Sequence, residues 1–258
     1  MLKLIFNYNC FGLKKEWMLL FFKEGINIFN SRFLGPKQKE FLYYYLRDIE
    51  LIKNKDNINN EAYFYFNVVF ENLYIYSDIF WSLLWINLNF NSNLFWIWNT
   101  LNYRKYSRAE LLDILVKIYG KINRYVKDGL NSLLSTFEYT PIGRDLKIGI
   151  VIKDKKGRSI IKEGGFRFNP YIILYAIYKY SYKYILFEID IDKIENDLFS
   201  PPKVLIVDSK YIKNCLLDLQ HLDIFEIDIN NNNSFFIKLK EIKSPYEVIK
   251  ILFAKEKL

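Results

Sequence analysis

Residues 79–98 read IFWSLLWINLNFNSNLFWIW, the most apolar stretch of the chain. Side chains of this kind must leave water, and they do so either in a bilayer or in a protein core. Asn87, Asn89, Asn91, Ser92 and Asn93 interrupt the stretch. No run of about 18 apolar residues survives, which favours a core. The expectation is two buried segments joined by a polar turn, in a cytoplasmic protein without a membrane span. Trp81, Trp85, Trp96 and Trp98 are then packing residues, because Leu and Ile surround them. The other residues can complete such a core: 51% of the 258 are hydrophobic and 19% aromatic, which argues against disorder. Lys14, Lys15 and Glu16 break the apolar start too early for a signal peptide.

Few residues suggest chemistry. Cys10 and Cys215 are the only cysteines and His221 the only histidine. That argues against a disulfide framework, a zinc site and a Ser-His-Asp triad, and the two cysteines read as ordinary buried thiols. Gly164 and Gly165 do not make a phosphate-binding loop, since neither Gly-rich fingerprint occurs. Asp228, Glu241 and Lys243 approximate the D…E-x-K pattern of metal-dependent nucleases, in which carboxylates hold Mg²⁺. In a chain so rich in Lys, Glu and Ile, EIK also arises from composition alone. EIDID at 188–192 fits an outward acidic strand face. No nucleophile has a visible base, so the expectation is a non-enzymatic protein with no cofactor and no metal.

Charge is the stronger signal. The formal net charge is +8. Residues 1–99 carry 10 basic and 9 acidic side chains, residues 100–170 carry 15 and 7, and residues 171–258 carry 12 and 13. The whole excess lies in the middle. A concentrated basic segment is the footprint expected for a phosphate backbone, although a solvated lysine-rich face fits the same count.

The periodicities place these charges on elements. Residues 31–54 read as a small helical unit, with Pro36 at a first helical position and Phe41, Leu42, Tyr45, Leu46 and Ile49 at helical spacing. With a helix near 16–22 this suggests a helix-turn-helix arrangement. Lys37, Gln38 and Lys39 would stand at the start of its second helix, where such helices meet base edges. An ordinary helical hairpin fits equally well. Residues 106–120 form the clearest helix: Ser107 and Glu110 have capping-box spacing, Leu111, Leu112, Ile114, Leu115 and Ile118 give an apolar stripe, and Gly120 can end it. The next helix, 121–137, carries Lys121, Arg124 and Lys127 on one slowly rotating face. Together with Arg104, Lys105 and Arg108 they make a candidate phosphate-contacting surface. Residues 145–165 alternate as two strands around DKKG, with Lys153, Lys155, Lys156 and Arg158 at the tip. A helix starts at Pro170. Ser209 caps a further helix whose Ile212, Leu216, Leu217 and Leu219 face a core. Two alternating strands then flank Asn230–Asn233, and Asn suits the turn between them. A helix followed by such a hairpin is the back half of a winged helix.

Several of these segments, in this order, resemble an uncharacterised prokaryotic family, the domain of unknown function numbered four-thousand-and-seven. FNSRFLGPKQKEFLYYYLRDIELI resembles its leucine-glycine helix with a closing leucine-isoleucine pair. IFWSLLWINLN and LFWIWNTLNYRKYSRAEL resemble its tryptophan-rich centre and helix entry, RYVKDGLNSLLSTFEY its helix with a basic-acidic pair (here Lys127 and Asp128), and PIGRDLKIGIV the strand entry that follows. Where many members place a histidine in the tryptophan segment, Leu84 stands here. Members are often encoded beside a PAPS-reductase-like enzyme of DNA phosphorothioation in phage-defence islands. The resemblance implies an accessory DNA-binding or complex-forming role, with that enzyme or another defence protein as a partner.

The expected fold is α+β, mainly helical, with winged-helix-like units at both ends around a helical, basic middle. The expected division is a helix-turn-helix-like unit at 1–60, an aromatic helical core at 61–142 and an α+β winged-helix-like unit at 143–258. The expected partner is duplex DNA, bound by the cations named above. A protein-interaction adaptor and a metal-dependent nuclease are the alternatives.

Overall fold

The computed structural model describes residues 11–73, 77–120, 123–155, 157–229, 234–241 and 244–255. The fold is α+β and mainly helical, and the chain forms two compact units, 1–164 and 165–258.

The first unit begins with α1 (Lys15–Glu24) and α2 (Pro36–Asp48), followed by a short hairpin, β1 (Ile52–Asn54) and β2 (Asn57–Ile58). Pro36 sits in the first turn of α2 as expected, where its missing N–H costs nothing. Then come α3 (Asn60–Leu73) and α4 (Asp78–Asn91), which is buried almost all round, and a 3-10 turn at Phe95–Thr100. β3 (Lys105–Ser107) leads into α5 (Arg108–Tyr119) and α6 (Arg124–Tyr139). After the single turn α7 (Pro141–Arg144), β4 (Ile150–Asp154) and β5 (Gly157–Ile161) form a hairpin. The sheet order is β3-β5-β4, fully antiparallel, with Tyr106 opposite Ile160 and Val151 opposite Ile160. The hairpin expected at 145–165 therefore packs with residues 105–107 in the first unit.

The second unit repeats this connectivity. α8 (Pro170–Tyr184) precedes β6 (Glu188–Asp190), then α9 (Pro201–Leu205), α10 (Ser209–Leu219) and the hairpin β7 (Phe225–Ile229) and β8 (Phe235–Leu239). The sheet order is β6-β8-β7, again antiparallel, and α11 (Tyr246–Lys255) ends the unit. In both units a strand, then helices (α5, α6 and α7 in the first, α9 and α10 in the second), then a hairpin follow in that order, and the last strand lies between the other two.

The aromatic segment is core, with one correction. Trp81, Trp85 and Trp98 are fully buried. Asn87 and Asn89, expected in a polar turn, lie inside α4 and are buried too. Their amides are occupied: Asn87 donates to the Ile49 carbonyl at 2.8 Å, and Asn89 and Asn99 exchange bonds of 2.9 and 2.7 Å. A buried amide is stable where its partners are supplied, so sequence polarity alone misplaced the break. The helix ends at Ser92, whose Oγ accepts the N–H groups of Leu94 and Phe95. Two smaller corrections concern caps and stripes. Asp208, not Ser209, caps α10, accepting the Tyr211 N–H at 2.6 Å. Leu217 is half exposed, and in α5 only Leu111 and Leu115 are buried.

Two buried polar centres fix the first unit. Lys162 follows β5 and is 3% exposed; its ammonium donates to the carbonyls of Trp98 at 2.8 Å and Leu101 at 2.7 Å. Trp98 in turn donates from Nε1 to the Ile148 carbonyl at 2.7 Å and stands 5.0 Å from the Phe137 ring on α6. On the other side of α6, the Tyr45 hydroxyl meets Ser132 Oγ at 2.7 Å and donates to the Phe11 carbonyl at 3.1 Å. Burial pushes the pKa of that hydroxyl up, so it stays a donor. Gly12 permits the close approach: a Cβ there would stand 2.3 Å from the backbone nitrogen of Thr136.

Replacing Lys162 by Met removes the only ammonium from two buried carbonyls. The expected outcome is a destabilisation of about 1–3 kcal/mol, read from the urea midpoint, with the tryptophan fluorescence of the unfolded chain unchanged.

Candidate nucleic-acid interface

The basic middle is carried by β3, α5, α6 and the β4–β5 hairpin. Local sequence sets each piece. Ser107 and Glu110 form the expected capping box at the start of α5, with Oγ accepting at 3.2 Å and the carboxylate accepting the Ser107 N–H at 2.7 Å. Gly120 closes the helix in the left-handed region at φ 86°, where a side chain would strain the backbone. Asn123 caps α6 by accepting the Val126 N–H at 2.9 Å. Val126, Leu130, Leu133, Leu134 and Phe137 bury the inner face of α6, which leaves Arg124, Tyr125 and Lys127 exposed at its first turn. The helix thus begins at Arg124; Lys121 lies outside the described residues, as does Lys156 of the hairpin tip.

The cations divide into two groups. In the first, each is committed within the fold. Arg104 pairs with Glu110 at 2.8 Å and stacks 4.0 Å from the Tyr106 ring. Arg108 donates to Asn131 Oδ1 at 3.1 Å, which fastens α5 to α6. Lys153 and Arg158 both meet Glu138 of α6, Arg158 at 3.4 Å, so the hairpin is pinned to the helix that it flanks. Arg124 reaches Asp128 at 3.5 Å, but its side chain is 83% exposed and the pair is weak. In the second group Lys105, Lys127 and Lys155 are exposed, and among the described residues none has a carboxylate within ion-pair distance.

Two further cations arrive that the sequence reading left out. Lys15 and Arg144 line a cleft of about 520 Å³ together with Lys153, Glu138, Tyr139 and Asp145. Lys15 is far from Lys153 in sequence, so no local pattern could have brought them together. Lys37, Gln38 and Lys39 stand in the first turn of α2, as expected, in different surroundings. Lys37 is exposed, Gln38 accepts the Gly35 N–H at 3.0 Å and caps its own helix, and Lys39 borders a separate groove with Glu40, Lys55 and Asp56.

Of the nuclease-like trio, the two carboxylates do not come together. Asp228 stands opposite Phe236 near the hairpin tip and accepts from Lys238 at 2.8 Å. Glu241 lies beyond Leu239, at the base of the hairpin, about 15 Å along the strand. Lys243 is outside the described residues. Among those residues no group of three or more His, Cys, Asp or Glu could hold a metal. Cys215 is buried and burial raises its thiol pKa, as expected of an inert thiol.

The second unit has the same connectivity but different electrostatics. Lys213 of α10 is held by Asp192 at 2.6 Å, Lys193 by Asp190 at 3.2 Å, Lys238 by Asp228, and Lys240 by Asp223. These four of its lysines are paired within the unit.

Two solved structures share this architecture. The fold is similar to that of SspB. One crystal structure of SspB with magnesium ion bound superposes with a TM-score of 0.75 at 12% identity, over 97% of this chain and 86% of the other. A second SspB crystal structure gives 0.74 with the same identity and coverage. No family model and no curated protein matches the chain. At this identity the likeness to SspB establishes the fold. No helix among the described residues is long and apolar enough to cross a membrane.

The Arg104 guanidinium, then the Ser107 backbone and side chain, hold the Glu110 carboxyl down to about 2 from an ordinary 4.5. A depressed carboxyl contributes stability above its unfolded value and loses it as pH falls through the folded one. In Arg104→Met the Glu110 titration, followed by its carboxyl carbon shift, should move back toward 4.5. The acid limb of unfolding should then begin at a higher pH.

Proposed function

We propose that this chain is a DNA-binding accessory protein of a DNA phosphorothioation or related phage-defence system, acting without catalysis of its own in a cytoplasmic setting. We read the strand–helix–helix–hairpin assembly of residues 105–161 as winged-helix-like, with α6 as the helix that meets a groove and the β4–β5 hairpin as the wing. The same reading applies to the second unit, and α1, α2 and the β1–β2 hairpin offer a shorter version at the N-terminus. The phosphorothioation setting rests on the resemblance to the domain-of-unknown-function family, with which a PAPS-reductase-like enzyme is the expected partner. The likeness to SspB supports the fold on which that reading depends.

One observation carries the DNA reading. Lys105, Lys127 and Lys155 lie on the strand, helix and hairpin of one assembly and carry exposed charge unmatched by nearby carboxylates. Phosphates are the counterions such a surface attracts, and each contact releases bound cations from the duplex. Arg124 adds to it, because an exposed i,i+4 pair is readily exchanged for a phosphate. The pinned Lys153 and Arg158 shape the wing, which leaves Lys155 as the described tip residue to reach DNA.

The test is duplex binding across salt. With all three lysines changed to Ala, the slope of log K against log salt should fall by about 2–3, at roughly 0.9 per lost phosphate contact. A comparison of modified and unmodified duplex then reports whether sulfur is sensed. Unchanged affinity and slope in the triple variant would remove the proposal. The magnesium ion in one SspB structure favours a second reading, metal-dependent cleavage of DNA. Nicking of supercoiled plasmid that requires Mg²⁺ and co-purifies with the folded chain would support that reading, and an inert preparation would end it.

A further inference from the structure

The first unit holds a concave surface that the basic assembly does not use. Two adjoining clefts of about 410 and 540 Å³ lie between the 3-10 turn Gly25–Phe29, the start of α2 and the β1–β2 turn. They share Pro36, Glu40, Lys55 and Asp56, so Lys55 borders both. The turn that carries it is ordered: Asn54 Oδ1 accepts the Asp56 N–H at 2.9 Å and the Asn57 amide at 3.0 Å.

Aromatic rings line both clefts. Phe29 stands in one, and Tyr43 and Tyr44 in the other, all half-buried. The Phe29 and Tyr43 rings lie 6.4 Å apart at 68°, so they offer separate faces. Phe33 sits in the loop between Asn30 and Pro36, two residues of the first cleft, and is 76% exposed.

The cations around these rings are uncommitted. Lys39 and Lys55 line the clefts, and Lys37 and Lys53 are exposed beside them on α2 and β1. Among the described residues none of these lysines has a carboxylate within ion-pair distance, whereas Arg47 of α2 is held by Asp48 at 2.8 Å. The Lys55 ammonium stands instead 5.5 Å from the centre of the Tyr43 ring. Its stem is flexible and exposed, so the charge can move from the ring to a ligand and leave the ring to be stacked upon.

This combination selects the occupant. Aromatic faces interleaved with free lysines suit an unpaired nucleotide, whose base stacks and whose phosphate meets an ammonium. A duplex offers no free base face, because its bases stack on one another. An acidic peptide would satisfy the lysines but bring its carboxylates against Glu40 and Asp56. A base brings amino donors that those carboxylates can accept.

We infer that the two clefts hold a short unpaired segment of a DNA strand, with bases against Phe29 and Tyr43 and the phosphate between them on Lys55. The choice of DNA rests on the proposed function. The site itself is built from residues other than Lys105, Lys127 and Lys155.

The probe is a short fluorescent single strand titrated with the full chain, beside a duplex of the same sequence. Tyr43→Ala should weaken single-strand binding about tenfold with its salt dependence unchanged. Lys55→Ala, at an exposed turn, should lower the slope of log K against log salt by about 0.7. Both variants should keep duplex binding, and the variant with Lys105, Lys127 and Lys155 all changed to Ala should keep the single strand. In the wild-type chain, irradiation of a strand carrying bromodeoxyuridine should crosslink it to a peptide containing Phe29, Phe33 or Tyr43, a readout that needs no variant to fold. No binding of the single strand, an unchanged slope in Lys55→Ala, or crosslinks confined to residues 105–161 would overturn the inference. Duplex binding indifferent to the three lysines would count against the proposed function alone, while the crosslink to these rings would still support the site.

Discussion

A buried ammonium organises the first unit. Lys162 is removed from water, which is costly for a charge unless dipoles replace the lost hydration. The carbonyls of Trp98 and Leu101 do this at the end of the 3-10 turn, where the Trp98 carbonyl also accepts the Leu101 N–H at 3.3 Å. The contact joins the aromatic segment to the strand that follows it by some sixty residues. Once β5 is placed, β3 and β4 follow through their registers, and the hairpin tip is carried to a defined distance from α6. Trp98 and Phe137 fill the space beneath.

From that frame follows the separation of the cations. α6 is fixed from within by Phe137 and by the hydroxyls of Ser132 and Thr136 around Tyr45. Its first turn is left to solvent with Arg124 and Lys127. Glu138 near its end draws in two cations of the hairpin. Some positive charge thus sets the shape and the remainder is available to a partner. In the second unit Lys193, Lys213, Lys238 and Lys240 are held in internal pairs, while Tyr182, Ile185 and Phe187 are exposed.

Much of this was legible in the sequence. Pro36, the Ser107–Glu110 box, Gly120 and Pro170 marked helix ends correctly, because capping acts over a few residues. Period-two alternation located the β4–β5 and β7–β8 hairpins, while the short β1–β2 hairpin went unread. The buried asparagines of α4 were misread, since their partners Ile49 and Asn99 come from elsewhere in the fold. The pairing of β3 with β5 was also out of reach, being set by a contact across more than fifty residues. Basic residues were visible, but which of them stay free was not: Glu138 lies 15 residues from Lys153, and Lys15 reaches the same cleft from the other end of the unit.

The central claim is that the basic assembly of residues 105–161 is the surface that meets DNA. Lysine acetylation footprinting of the full chain, with and without duplex, tests it residue by residue. Protection of Lys105, Lys127 and Lys155, with Lys210, Lys238 and Lys240 unchanged, is the result this account predicts. Protection confined to the lysines of the second unit, or none at the first three, would contradict it.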